Sequence, residues 1–121
     1  MERLDLKIGS VSLIENNITE IHFYPHHELQ IDEVKHLTEI CAEYTQGINP
    51  LIVIIPHDFS ISFNAIRHAA KAKTTKKVAI VFAKPAMMSM FNVVSSVLKR
   101  FNAAYETRGF HTKSDALKWL C

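Results

Sequence analysis

Two apolar runs, Leu-Ile-Val-Ile-Ile at 51–55 and Val-Ala-Ile-Val-Phe-Ala at 78–83, limit what this chain can fold into. Each falls far short of the roughly 20 apolar residues that cross a bilayer. Neither alternates polar with apolar, as a strand with one wet face does. A strand this uniformly apolar is buried on both faces, which calls for a parallel or mixed sheet covered by helices. A helical pattern follows each run, at 63–73 and at 87–101, so the chain reads strand–helix–strand–helix. The fold class expected is α/β: a mixed sheet with an N-terminal antiparallel meander followed by βαβα units.

The meander is read from period-two patterning. Leu4, Leu6 and Ile8 alternate with charged neighbours, Val11 and Leu13 alternate after Gly9-Ser10, and Ile21 and Phe23 share a face within 18–24. Asn16-Asn17 supplies a turn, because asparagine tolerates positive φ. Pro25-His26-His27-Glu28 closes the meander. A helix over 31–45 then puts Ile31, Val34, Leu37, Ile40, Cys41 and Tyr44 on one face and Asp32, Lys35, His36, Glu39 and Glu43 on the other. Gly47 stops it, and Asn49-Pro50 leads into the first buried strand.

The segment 56–62 is the loop between that strand and the second helix, and Ser60 and Ser62 are both natural N-caps. In the third helix Met87, Met90, Phe91, Val93, Val94, Val97, Leu98 and Phe101 cover an arc of about 160°, wider than one helix–sheet contact needs. Met88 falls outside that arc and is expected to be exposed. A short strand near 103–106 follows, then a helix over 115–120 capped by Ser114, whose Ala116, Leu117, Trp119 and Leu120 point inward.

Composition narrows the function classes. A chain of 121 residues suffices for one domain spanning 1–121. A net charge of +2 gives no concentrated basic face, so nucleic acid is not an expected partner. The four lysines at 71, 73, 76 and 77 read as a solvated helix end. No signal-peptide pattern or transmembrane segment is present, and a cytoplasmic protein is expected. Cys41 and Cys121 form no disulfide framework. Three glycines leave no room for a Walker loop or a dinucleotide fingerprint, and no cofactor is expected.

Taken together, the strand meander, Leu51–Ile55, the serine-containing loop and helix, the run at 78–83 and the segment from Gly109 to Leu120 resemble a STAS (SpoIIAA-like) domain. More narrowly, the chain is similar to small stand-alone bacterial STAS/SEC14-like proteins. In that family an F-x-T-x-x-x-A-L-x-W-L segment docks the last helix, and Phe110 to Leu120 matches it. The resemblance implies a mixed sheet flanked by helices, no catalytic centre, and action by binding a protein partner, a nucleotide or a lipid. It also implies regulation through a serine phosphorylated at the start of the second helix. The usual loop there carries Asp-Ser-Ser-Gly, whereas this chain has His57-Asp58-Phe59-Ser60-Ile61-Ser62, shorter and without the glycine.

Ser60 and Ser62, with His57 and Asp58, are therefore the candidate phospho-acceptor or anion-binding loop, since a phosphate at a helix N-terminus meets free amides. His57, Asp58 and Ser60 have the side-chain types of a hydrolytic triad, but neighbours on one short loop rarely reach one another in series. His22, His26 and His27 lack the helical spacing of a zinc hydrolase, and no metal site is expected. Met87, Met88, Met90 and Phe91 are the candidate interface or apolar groove. The reading is a non-enzymatic STAS-like interaction module, expected as a homodimer. The alternative is a small-molecule or lipid carrier with an apolar pocket under the helix over 87–101.

Overall fold

In the computed structural model, which describes residues 3–14, 17–44, 49–73, 75–82 and 84–121 (of Tyr44 only the backbone), the apolar runs form sheet strands over 51–55 and 78–82. Strands β1 (Arg3–Asp5), β2 (Gly9–Ile14) and β3 (Ile18–Phe23) form the meander. Strand β4 (His27–Leu29) and helix α1 (Ile31–Tyr44) lead to β5 (Leu51–Ile55), then β6 (Phe59–Ile61) and α2 (Phe63–Ala69) lead to β7 (Lys77–Phe82). A 3-10 turn, Pro85–Met87, runs into α3 (Met88–Arg100), followed by β8 (Glu106–Phe110) and α4 (Lys113–Leu120).

The main sheet has six strands in the order β1-β2-β3-β5-β7-β8. Its β1–β2 and β2–β3 pairs are antiparallel, whereas β3–β5, β5–β7 and β7–β8 are parallel. Parallel neighbours need a crossover, and each one here carries a helix. Side chains then alternate between two apolar layers. Val78, Ile80 and Phe82 of β7 join the cluster made with Val34, Leu37 and Ile40 of α1, while Ala79 and Val81 face Ala116 and Leu120 of α4. The double-sided burial expected from the sequence is thus present, and the last helix, α4, docks on the sheet.

Caps and tertiary contacts move several boundaries. The second helix stops at Ala69, not at 73, because the Tyr105 hydroxyl donates to the Ala69 carbonyl at 2.8 Å and the next amides tighten into i→i+3 bonds. The last strand begins at Glu106, not at 103, because the residues before it terminate α3. Asn102 adopts a left-handed φ of 58°, Ala103 N–H donates to Leu98 O, and Asn102 N–H donates to Lys99 O, which is a Schellman cap. Thr112, not Ser114, caps α4, its Oγ1 accepting from Asp115 N–H at 3.2 Å. Asn17 has the left-handed backbone expected of a turn (φ 59°); Asn16, Thr45 and Gly47 lie outside the described residues.

The larger difference is a second sheet. Residues 27–29 and 59–61, expected in loops, form a two-stranded parallel ladder. Phe59 anchors it by stacking on Phe23, ring centroids 4.6 Å apart. Glu33 fastens α1 to the same region: its carboxylate accepts from Gln30 N–H at 2.9 Å and contacts His27 Nε2 at 2.9 Å. Partial burial pushes that carboxyl up, but the Gln30 and His27 contacts, with Lys7, hold it below its ordinary value.

Gly9 sits where β2 meets β3, and a Cβ there would collide with the His22 carbonyl oxygen and the Phe23 Cα. Backbone atoms in a ladder cannot rotate aside. Gly9→Ala is expected to cost about 1–3 kcal/mol, read as a lower urea midpoint at unchanged m-value. A midpoint equal to the parent's would mean that the β2–β3 spacing relaxes freely.

Candidate functional site

The face of the sheet under α1, α2 and α3 is incompletely filled. Alternation along β3, β5 and β7 sends Ile21, Val53 and Ile80 to that face, and the helices bring Cys41, Ala69 and Val94 over them. Ala69 at the end of α2 and Ala72 just beyond it offer only methyl groups here, beside Ile66, so the helices approach without filling the space. A cavity of about 160 Å³ remains, floored by the sheet and roofed by the three helices. Met90 and Phe91 line it, as do Val94 and Leu98 further along α3.

The hydroxyls on its wall are already engaged. Thr38 Oγ1 donates to Val34 O at 2.9 Å, Thr75 Oγ1 to Lys77 O at 2.9 Å, and the Tyr105 hydroxyl to Ala69 O at 2.8 Å. Burial pushes the Cys41 thiol up to about 11 and the Tyr105 phenol up to about 12. Both groups therefore keep their protons at neutral pH, and the cavity presents an apolar, uncharged surface.

The serine loop is organised differently from expectation. Ser62 is the N-cap of α2, its Oγ accepting from Ala65 N–H at 3.2 Å. Ser60 is not a cap: it is exposed in the middle of β6, opposite Glu28 of β4. His57 and Asp58 occupy the exposed turn before β6. Asp58 pairs with His26 at 3.2 Å, so a Ser–His–Asp relay along the loop does not form. His26, distant in sequence, is the residue that sequence reasoning left out of this group. Its partner could be found only through the β4–β6 register.

Neither a protein-family model nor a curated protein matches this sequence. Among solved structures, the chain is similar to a protein from Shewanella loihica PV-4, described as an uncharacterized protein from the DUF3478 family with a SpoIIAA-like fold. The two share 20% identity with a TM-score of 0.61, over 100% of this chain and 97% of the other. The fold is SpoIIAA-like.

Within this SpoIIAA-like fold the methionine segment divides. Met90 and Phe91 face the cavity, with the Phe91 ring 5.9 Å from that of Phe82. Met87 packs at the edge of the core, and Met88 is exposed. The wide apolar arc of α3 divides too: Val94 is 9% exposed, whereas Val93 is 59% exposed. Phe101, at the end of the same helix, meets exposed Phe63 of α2 edge-on at 6.0 Å. Among the described residues no helix is long and apolar enough to cross a membrane.

The cavity chemistry predicts a difference between the two thiols. Cys121 is exposed, while Cys41 is half-buried with its thiol held protonated. Iodoacetamide at pH 8 is expected to alkylate Cys121 at least about tenfold faster than Cys41, as read by peptide mass. Equal rates would mean that the helical layer opens readily over the cavity.

Proposed function

We propose that this chain is a non-enzymatic binding module, acting as a single domain in the cytoplasm, that takes an apolar ligand into the cavity under α3. The observation that carries this reading is a space of about 160 Å³ whose hydroxyls are all engaged with backbone carbonyls. A dry cavity of about 150 Å³ in another protein admits benzene or xenon, so the volume suits a ring or short alkyl group. Apolar surface leaving water supplies the affinity, at roughly 25 cal/mol per Å². The protonated states of Cys41 and Tyr105 favour binding over chemistry, because neither group is a base or nucleophile at neutral pH.

Benzene serves as the probe. Adding it is expected to shift the methyl resonances of Ile21, Val53, Val94 and Leu98 and to raise the unfolding temperature. Val53→Phe, which fills the space from the sheet side, is expected to abolish both responses while the chain stays folded. Shifts scattered over the outer surface, or persisting in a folded Val53→Phe, would refute the cavity as the site. Native mass spectra of the chain from its host are expected to carry an adduct that denaturation removes.

A second reading, association with a protein partner or a second copy, draws on the exposed apolar side chains of Val93, Phe101 and Phe63, and on exposed Met88 at the other end of α3. In this reading Ser60 is the phospho-acceptor, because Ser62 is engaged as a cap. A phosphate on Ser60 would stand opposite Glu28 and repel it across the ladder. Phe101→Glu and Met88→Glu are both expected to leave folding intact and convert a dimer to monomer in light scattering. A dimer that survives both changes would exclude this face.

A further inference from the structure

Two turns far apart in sequence meet at the open end of the β4–β6 ladder. The ladder starts with His27 opposite Phe59, so the residues one step earlier, His26 and Asp58, also face each other. Both have left-handed backbone, with φ of 61° and 54°, which turns their side chains out of the strand direction. Each turn opens with a proline, Pro25 and Pro56, whose fixed φ limits the motion of the adjoining residues. His26 Nδ1 lies 3.2 Å from Asp58 Oδ2, and the His26 and His57 rings meet edge to face at 5.4 Å. One ligating atom from each of His26, His57 and Asp58 lies within 4.8 Å of the others.

We propose that His26, His57 and Asp58 bind one divalent transition-metal ion of the zinc class, independently of the apolar cavity. Two imidazole nitrogens and a carboxylate oxygen are a donor set for zinc, nickel or copper, whereas calcium and magnesium prefer oxygen alone. Bonds of about 2.0–2.2 Å place tetrahedral ligands roughly 3.4 Å apart, so the side chains need to close by only about 1.4 Å. All three are exposed and can make that movement by rotating. Water completes the coordination. The neighbouring His27 lies outside this group of three; Glu33 holds its Nε2 at 2.9 Å and fixes β4 against the start of α1. The site is thus a mobile set of donors on an anchored ladder. Binding there would join the β4 turn to the β6 turn.

Calorimetric titration of the full chain with zinc chloride at pH 7.5 tests this. One ion per chain, bound tighter than about 10 µM, is the expected result. His57→Ala and Asp58→Asn are each expected to weaken binding at least tenfold; asparagine retains the left-handed backbone that position 58 requires. His36→Ala on α1 and Cys121→Ser, both away from the cluster, are expected to leave affinity unchanged. In the unsubstituted chain, zinc is expected to shift the imidazole resonances of His26 and His57 together, saturating at one equivalent. No binding below millimolar zinc, equal affinity in the two cluster variants, or shifts at other histidines instead would overturn the site.

Discussion

Strand β5 is hydrogen-bonded in parallel on both sides, to β3 and to β7, and its side chains enter apolar layers above and below. Both of its edges and both of its faces are thereby committed. A parallel pair cannot be closed by a tight turn, so this arrangement obliges the chain to cross over with a helix on each side of β5. The crossovers supply α1 and α2, and the step from β7 to β8 supplies α3 to the same layer. The helical roof, the cavity beneath it and the position of the serine loop all follow from that pairing.

The cavity itself arises from a mismatch of side-chain size. The strands present branched residues such as Ile21, Val53 and Ile80, while α2 and the residues just after it line the space with Ile66 and the small Ala69 and Ala72. Gly109 contributes at the far side: a Cβ there would press within 2.9 Å of the Phe82 ring, so its absence lets Phe82 and Phe91 settle over β8. The aromatic pair closes one flank of the space rather than filling it. The engaged hydroxyls of Thr38, Thr75 and Tyr105 then keep what remains unattractive to water.

Long-period signals in the sequence were legible, and short ones were not. The two apolar runs and the helix expected over 31–45 repeat often enough to identify both their type and their buried faces, whereas the arc of α3 identified a helix but overstated its buried face, since Val93 and Phe101 are exposed. Ser62 was readable as a cap because a serine before Phe63 has few other uses. Ser60 was not readable as a strand residue, since three-residue strands offer no period and β4 and β6 exist only through each other. The grouping of His26 with His57 and Asp58 depends on that ladder's register, so no local pattern contains it. The late start of β8 did leave a trace, in Asn102, the kind of residue that accepts the left-handed step ending a helix.

The unfilled space has a mechanical consequence. A void of this kind disappears when the chain unfolds, so the unfolded form occupies less volume and hydrostatic pressure favours it. An occupant would remove that volume difference along with the void. For this chain, stiffness is set by how fully the helices cover that face of the sheet, and a larger side chain projecting into the space would harden it.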